Sequence, residues 1–276
     1  MANNGWMYQD SLAGFLLNNY NSVGTVDMSA VSTVVDSTEV EIWDKTGAYT
    51  YATAAETLYL TSTVAGDNDI SVKIYGLKSD FTLASETITT RTAGDARQLG
   101  AGGENATANQ YIRIHKMEVL GITQATGNLH LGSDSTPPAT GIPAAADSRA
   151  FISAGENRSR SSMFTVPASH TAIIVGFHAQ IVTSLAAGNS VTVRLRSRDA
   201  STVATPNVFQ NIKQFRYYEG VDRFGLNGGV PIARVGEKHD IKVTGQGSVA
   251  GNNVVSAQYQ AIIVPSTKVG AGIANL

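Results

Sequence analysis

The sequence predicts an all-β protein: two antiparallel β-sandwich or jelly-roll-like domains in tandem, preceded by an N-terminal arm. Three observations point there. Apolar and polar residues alternate with a period of two in many short segments, turns rich in Gly, Asn and Asp separate those segments, and long Leu/Glu/Lys/Ala stretches are missing. With 27 glycines and only 15% charged residues in 276, the composition suits strands joined by many turns.

Residues 1–37 form the expected arm. "DSLAGFLLNNY" reads as a short helix with Asp10 as N-cap and Leu12, Phe15 and Leu16 on one face, and Trp6 and Tyr8 add aromatic area before it. A helix of about ten residues is marginal alone, so this apolar face needs a surface, on a partner or on its own domain.

The first β-sandwich is expected over 38–134, with strands at 38–43, 57–64, 84–90 and 110–120. In "ISVKIYG", Ile70, Val72 and Ile74 face one way, and Ser71, Lys73 and Tyr75 the other. At 111–120 the phase slips from Ile112 and Ile114 to Met117 and Val119, which predicts a β-bulge near His115. Residues 135–150 open with "STPPATGIPAAADS", a Pro/Ala-rich stretch without period that reads as a linker.

The second β-sandwich is expected over 151–268, with strands at 171–183, 207–217, 239–244 and 254–264 and in "VTVRLRSR". Residues 269–276, "VGAGIANL", read as a flexible tail. "AGDNDISVKI" from Ala65 and "AGNSVTVRL" from Ala187 are near-copies, each after an apolar strand. They predict two hairpins and hint at a duplicated β-domain.

Chemical motifs are sparse. With no cysteine there is no thiol nucleophile, disulfide or Cys-based zinc site. In 171–182 the odd positions Thr171, Ile173, Val175, Phe177, Ala179 and Ile181 form one apolar row. His178 falls on the other face and His170 in the turn before the strand, a poor metal pair. "DND" at 67–69 lacks the Gly and distal Glu of a calcium loop and reads as a turn. "GQGSVAG" at 245–251 lies between two strands and cradles no phosphate. The sequence therefore predicts no cofactor, no metal and no enzyme, although carboxylate pairs that meet only in space would leave no local signature. No apolar run approaches the roughly 18 residues of a membrane span. The first base is Lys45, so no signal peptide is expected.

Charge is uneven. Residues 1–139 carry 7 Lys/Arg against 15 Asp/Glu, and residues 140–276 carry 13 against 7. The acids Asp10, Asp27, Asp36, Glu39, Glu41 and Asp44 precede any base. Arg194, Arg196 and Arg198 share one strand face roughly 6–7 Å apart, where guanidiniums repel unless solvent or an anion intervenes. That row is either a solvated face or a docking strip for carboxylates or an anionic glycan. Overall negative charge and the lack of an aromatic ladder argue against nucleic acid. Tyr217, Tyr218 and Phe224 in "QFRYYEGVDRFG" are the cluster from which a glycan-binding platform could be built.

"MFTVPASHTAIIVGFHA" (163–179) resembles a hydrophobic-Thr-Val-Pro-Ala-Gly-x-Thr-Ala strand opening of structural proteins of tailed, especially marine, bacteriophages. "ETLYLTSTVAGDNDISVKIYGLKSDFTLASETIT" (56–89), followed by "NQYIRIHKMEVLG" (109–121), is similar to their companion domain. The sequence departs from that pattern at Ser169, where Gly is usual, and at Lys78, where Asp is usual. The resemblance implies a virion protein, either a head decoration or knob protein or a tail component, with no catalytic residues to carry over. The expected partners are other virion proteins and copies of itself in a homo-oligomer such as a trimer. Trp6, Tyr8, Leu12, Phe15, Leu16, Arg194, Arg196 and Arg198 are the expected contact residues. A tail-associated receptor- or glycan-binding module is the alternative.

Overall fold

The computed structural model describes residues 24–45, 48–100, 104–121, 123–137, 139–182, 189–218, 223–227, 231–249 and 253–269. In chain order the strands are β1 (Gly24–Val35), β2 (Val40–Glu41), β3 (Tyr59–Ser62), β4 (Ser71–Leu77), β5 (Leu83–Thr89), β6 (Arg113–Val119), β7 (Leu129–Gly132) and β8 (Ser148–Ile152). There follow β9 (Phe164–Thr165), β10 (His170–Ile181), β11 (Ser190–Asp199), β12 (Gln210–Tyr218), β13 (Arg223–Asn227), β14 (Ala233–Val235), β15 (His239–Gly247) and β16 (Asn253–Pro265). One short helical turn, Ser266–Val269, follows β16. The chain is all-β, as its alternation predicts.

Two units divide these strands, nested in the sequence rather than in tandem. One comprises Met1–Ile42, Ser162–Thr202 and Pro206–Leu276, and the other Trp43–Ser161 with Val203–Thr205. The boundaries therefore fall at 42/43 and 161/162, not at the expected linker. Residues 135–150 lie inside the inserted unit, where they connect β7 to β8 and supply the start of β8. Gly141 makes that stretch structural: at φ +72°, it approaches the Ser62 carbonyl so closely that a Cβ would stand 1.9 Å from the oxygen, and its own carbonyl accepts from Thr61 Oγ1 at 2.7 Å.

The outer unit is a jelly roll. Its antiparallel pairs nest as in a rolled-up hairpin: β1 with β16, β2 with β15, β10 with β13, and β11 with β12. Pairing of β16 with β10 and of β15 with β11 completes the sheets β1-β16-β10-β13 and β12-β11-β15-β2. Short β14 and β9 add to β10 and β15. Val255, Ala257, Tyr259, Ala261 and Ile263 of β16 share one core with Val191, Val193 and Leu195 of β11. Phe177 stacks on Phe215 across the sandwich with centroids 5.2 Å apart, and Tyr217 Oη donates to the Ala179 carbonyl at 3.0 Å.

The pattern accounts for most of β10, with a correction. Phe177, Ala179 and Ile181 point into the core as expected, but a bulge between Ile174 and Gly176 shifts the phase. Ala172 and Ile174 are therefore the inward residues upstream, in place of Thr171, Ile173 and Val175. Strand β1 lies within the expected arm, and Met28 and Ala30 join the jelly-roll core. The expected helix and the tail residues 270–276 lie outside the described residues.

The inserted unit has its own core between sheets β3-β7-β8 and β5-β4-β6, built on Leu58, Leu60, Ile74, Met117, Leu129 and Leu131. The predicted bulge is present: Tyr75 pairs with Lys116 and Gly76 with Ile114, leaving His115 as the extra residue. The "DND" turn is a clasp. The buried Asp67 carboxylate accepts from Ser62 Oγ, Thr126 N and Oγ1, and Gly127 N at 2.6–2.9 Å. Burial opposes its charge, but these bonds outweigh that and hold its pKa below the ordinary carboxylate value.

Neither expected hairpin forms. Strands β3 and β4 lie in different sheets, and so do β10 and β11, because each finds its partners elsewhere. Each of the two similar stretches leads into a strand that lies in a different sheet from the strand before it.

Replacing residues 43–161 with a short Gly/Ser bridge leaves a jelly roll that keeps its β circular-dichroism spectrum and a cooperative melt. At Gly76 a Cβ would meet the Arg113 carbonyl oxygen at 2.3 Å and Tyr111 Cδ1 at 2.7 Å. Gly76→Ala therefore costs the inserted unit upwards of about 3 kcal/mol in urea titration and leaves the jelly roll unchanged.

Candidate functional site

The arginine row occupies the outer face of the β12-β11-β15-β2 sheet, because Val191, Val193 and Leu195 alternate with it into the core. Opposite it, β15 presents Asp240, Lys242 and Thr244, in register with Arg198, Arg196 and Arg194. Acids reach this face from the segment at β2, which pairs with β15 at Thr244 and Gly245.

Glu39 is the hub. Its carboxylate accepts from Arg194 Nη1 at 3.3 Å, from Thr244 Oγ1 at 2.6 Å and from Arg196 Nη1. Arg194 also donates to Gln214 and Gln246 at 3.0 Å each. Partial burial works against the charge on Glu39. The bonds from Thr244 and Arg196, with the Arg194 charge, outweigh it and hold the pKa below the usual carboxylate value.

A second knot lies further along. Arg198 Nε and Nη2 reach Asp240 Oδ2 at 3.0 and 2.9 Å, and Thr165 Oγ1 donates to Oδ1 at 2.6 Å. Asp240 is wholly buried, so this pairing offsets a large desolvation cost. Lys242 Nζ donates to Glu41 at 2.7 Å. Two cations approach the Phe209 ring, Arg198 Cζ at 4.4 Å and Lys242 Nζ at 4.1 Å from its centroid.

The carboxylates that the arginine row calls for thus come from its own chain. The strip is not an open docking site; it locks β2 and β9 onto β15. The charge imbalance between sequence halves vanishes on the same grounds. Counted by unit, the jelly roll has 10 Lys/Arg and 10 Asp/Glu, and the inserted unit 10 and 12. Sequence reasoning noted Glu39 and Glu41 but not their partners. Asp240 and Lys242 alternate in "HDIKVTG", the one local sign that β15 carries the complement of the arginine row.

Other expected contact residues are not brought together. Trp6, Tyr8, Leu12, Phe15 and Leu16 lie outside the described residues. Tyr217 is buried in the core and unable to serve in an exposed platform, because the period of two places it beside Phe215 on the inner face. Tyr218 is 55% exposed, with Arg216 Cζ 5.4 Å from its ring centroid. Phe224 lies on β13, its side chain outside the description. His170 Nδ1 is 2.8 Å from the Ala168 carbonyl, and His178 is half-buried on the face away from Phe177. Among the described residues no three His, Cys, Asp or Glu side chains converge as a metal site, and no helix is long and apolar enough to cross a membrane.

No family model matches the chain, and no curated protein matches it. Among solved structures, it is similar to the VP2 subviral particle of infectious bursal disease virus, at 11% identity and a TM-score of 0.25, over 89% of this chain and 72% of that one. T=1 particles derived from the same virus match at 13% identity and a TM-score of 0.25, over 89% and 70%. The T13 particle of that virus matches at 11% identity and a TM-score of 0.24, over 88% and 69%. TM-scores this low do not establish a common fold.

Glu39→Gln removes the charge shared by two guanidiniums and lowers jelly-roll stability by about 1–2 kcal/mol in chemical denaturation at pH 7. The folded-state pKa of Glu39 is depressed, so its contribution is present above the unfolded value near 4.5 and is lost as pH falls through the folded one. The gap between wild type and Glu39→Gln should therefore narrow progressively as pH falls below 4.5.

Proposed function

We propose that this chain is a non-enzymatic structural subunit of a virion, of the tailed-bacteriophage kind that its sequence resembles, and that it decorates or stabilises the head surface through contacts between subunits. The observation that carries this reading is the nested jelly roll with a separately cored unit inserted between β2 and β9. Such a body presents broad sheet faces and a second, independent surface on one chain. Jelly rolls serve as capsid and lectin domains alike, and the fold supports the reading.

The use of charge supports it further. Asp240, wholly buried, pairs with Arg198, and Lys242 pairs with Glu41, so these ion pairs tie strands together. A receptor- or glycan-binding role would rest on Tyr218, since Tyr217 is committed to the core.

The test is mass by light scattering, with negative-stain images, on the full chain and on a chain beginning at residue 24, at low and high salt. Residue 24 is the limit because β1 belongs to the jelly roll. A discrete oligomer or closed particle, lost without residues 1–23, is the expected result. A monomer under every condition would sink self-assembly through the arm.

A further inference from the structure

His130 sits at the centre of β7, between Thr61 of β3 and Phe151 of β8. Leu129 and Leu131 face the core of the inserted unit, so His130 points to the other face of the sheet, where it is nonetheless only 3% exposed. Phe151 lies against its ring, centroids 5.1 Å apart. Neither ring nitrogen has a hydrogen-bond partner. A buried imidazole with both nitrogens unmet is less stable there than a Phe or Leu of similar size.

The neighbours make the charged form worse. Lys45, half-buried with Nζ 5.9 Å from the Trp43 ring centroid, places a positive charge near the imidazole. On β8, at the bulge two residues before Phe151, Arg149 is bound to Glu56 in a two-pronged pair at 2.8 and 3.0 Å. From β3 come Tyr59 and Thr61, and the Thr61 hydroxyl is already donated to Gly141. Among these groups no free carboxylate meets a protonated ring. Burial first, and Lys45 second, push the His130 pKa down from 6.5 to about 4.

We propose that His130 makes the inserted unit acid-labile: protonating its imidazole opens the β3-β7-β8 sheet and leaves the jelly roll folded. The sign follows from linkage. The unfolded chain takes up the proton near pH 6.5 and the folded one only near pH 4, so stability is full above 6.5 and falls as pH drops toward 4. Between pH 7.5 and pH 5 the folding equilibrium of the unit drops about thirtyfold. The proposal stands apart from the virion reading, since it concerns the stability of one unit whatever the chain assembles with.

The experiment is hydrogen exchange by mass spectrometry on the full chain at pH 7.5 and pH 5, corrected for intrinsic exchange rates. Peptides covering 129–132 and 148–152 should lose about thirtyfold in protection at pH 5, while those covering 172–181 and 255–264 keep theirs. In His130→Phe the acid loss should disappear. Unchanged protection of β7 and β8 at pH 5, or an equal loss in His130→Phe, overturns the proposal. Should His130→Phe fail to fold, the wild-type imidazole titration by NMR decides: a value below about 5 supports it, and one near 6.5 overturns it.

Discussion

Strand β15 has one edge against β11 and one edge left, and the chain must use that second edge twice. On the way out, β2 pairs with Thr244 and Gly245, and on the way back β9 pairs with Asp240 and Ile241. Between them, Ile42 N donates to the Val243 carbonyl, and Ser162 Oγ lies 2.6 Å from the Ile42 carbonyl. Outgoing and returning segments therefore lie end to end along one strand, and 119 residues can be inserted without breaking the sheet. The passage of the chain out of the outer unit and back depends on this shared edge.

Charge secures the junction because two short strands cannot. β2 and β9 have two residues each, too few for ladder hydrogen bonds alone to hold. The bonds from Arg194, Arg196 and Thr244 to Glu39, from Lys242 to Glu41, and from Thr165 to Asp240 bind both ends through side chains. A row of guanidiniums that is repulsive by itself becomes stabilising once Glu39, 155 and 157 positions from Arg194 and Arg196, and Asp240, 42 from Arg198, fold onto it. Distance in sequence is also why the row looked like a site for a partner.

Strand identity was legible where one face is buried and the other is not. The alternation in β4 and β11 is of that kind, and so is the phase slip that marks His115 as a bulge. Strands β7 and β8 are buried on both faces and show no alternation, so nothing local marks them. The Ser, Thr and Val of β1 carry too weak a pattern to separate a strand from an arm. A hairpin and a change of sheet begin with the same Gly/Asn/Asp residues, and only the partner of each strand distinguishes them. The nested order of the units was illegible for a related reason, since it resides in pairings such as Gly24 with Ile263 that no window of sequence contains.

That last pairing sets an order of events on the ribosome. The inserted unit draws its core from one continuous stretch, so that core closes once residue 161 has emerged, and only Val203–Thr205 join the unit later. β1, made first, waits for β16, made last, and until then its apolar face has no sheet to join. During synthesis the body of the molecule is therefore the late product and its insert the early one. A nascent chain of this kind carries a finished passenger before it has a finished frame.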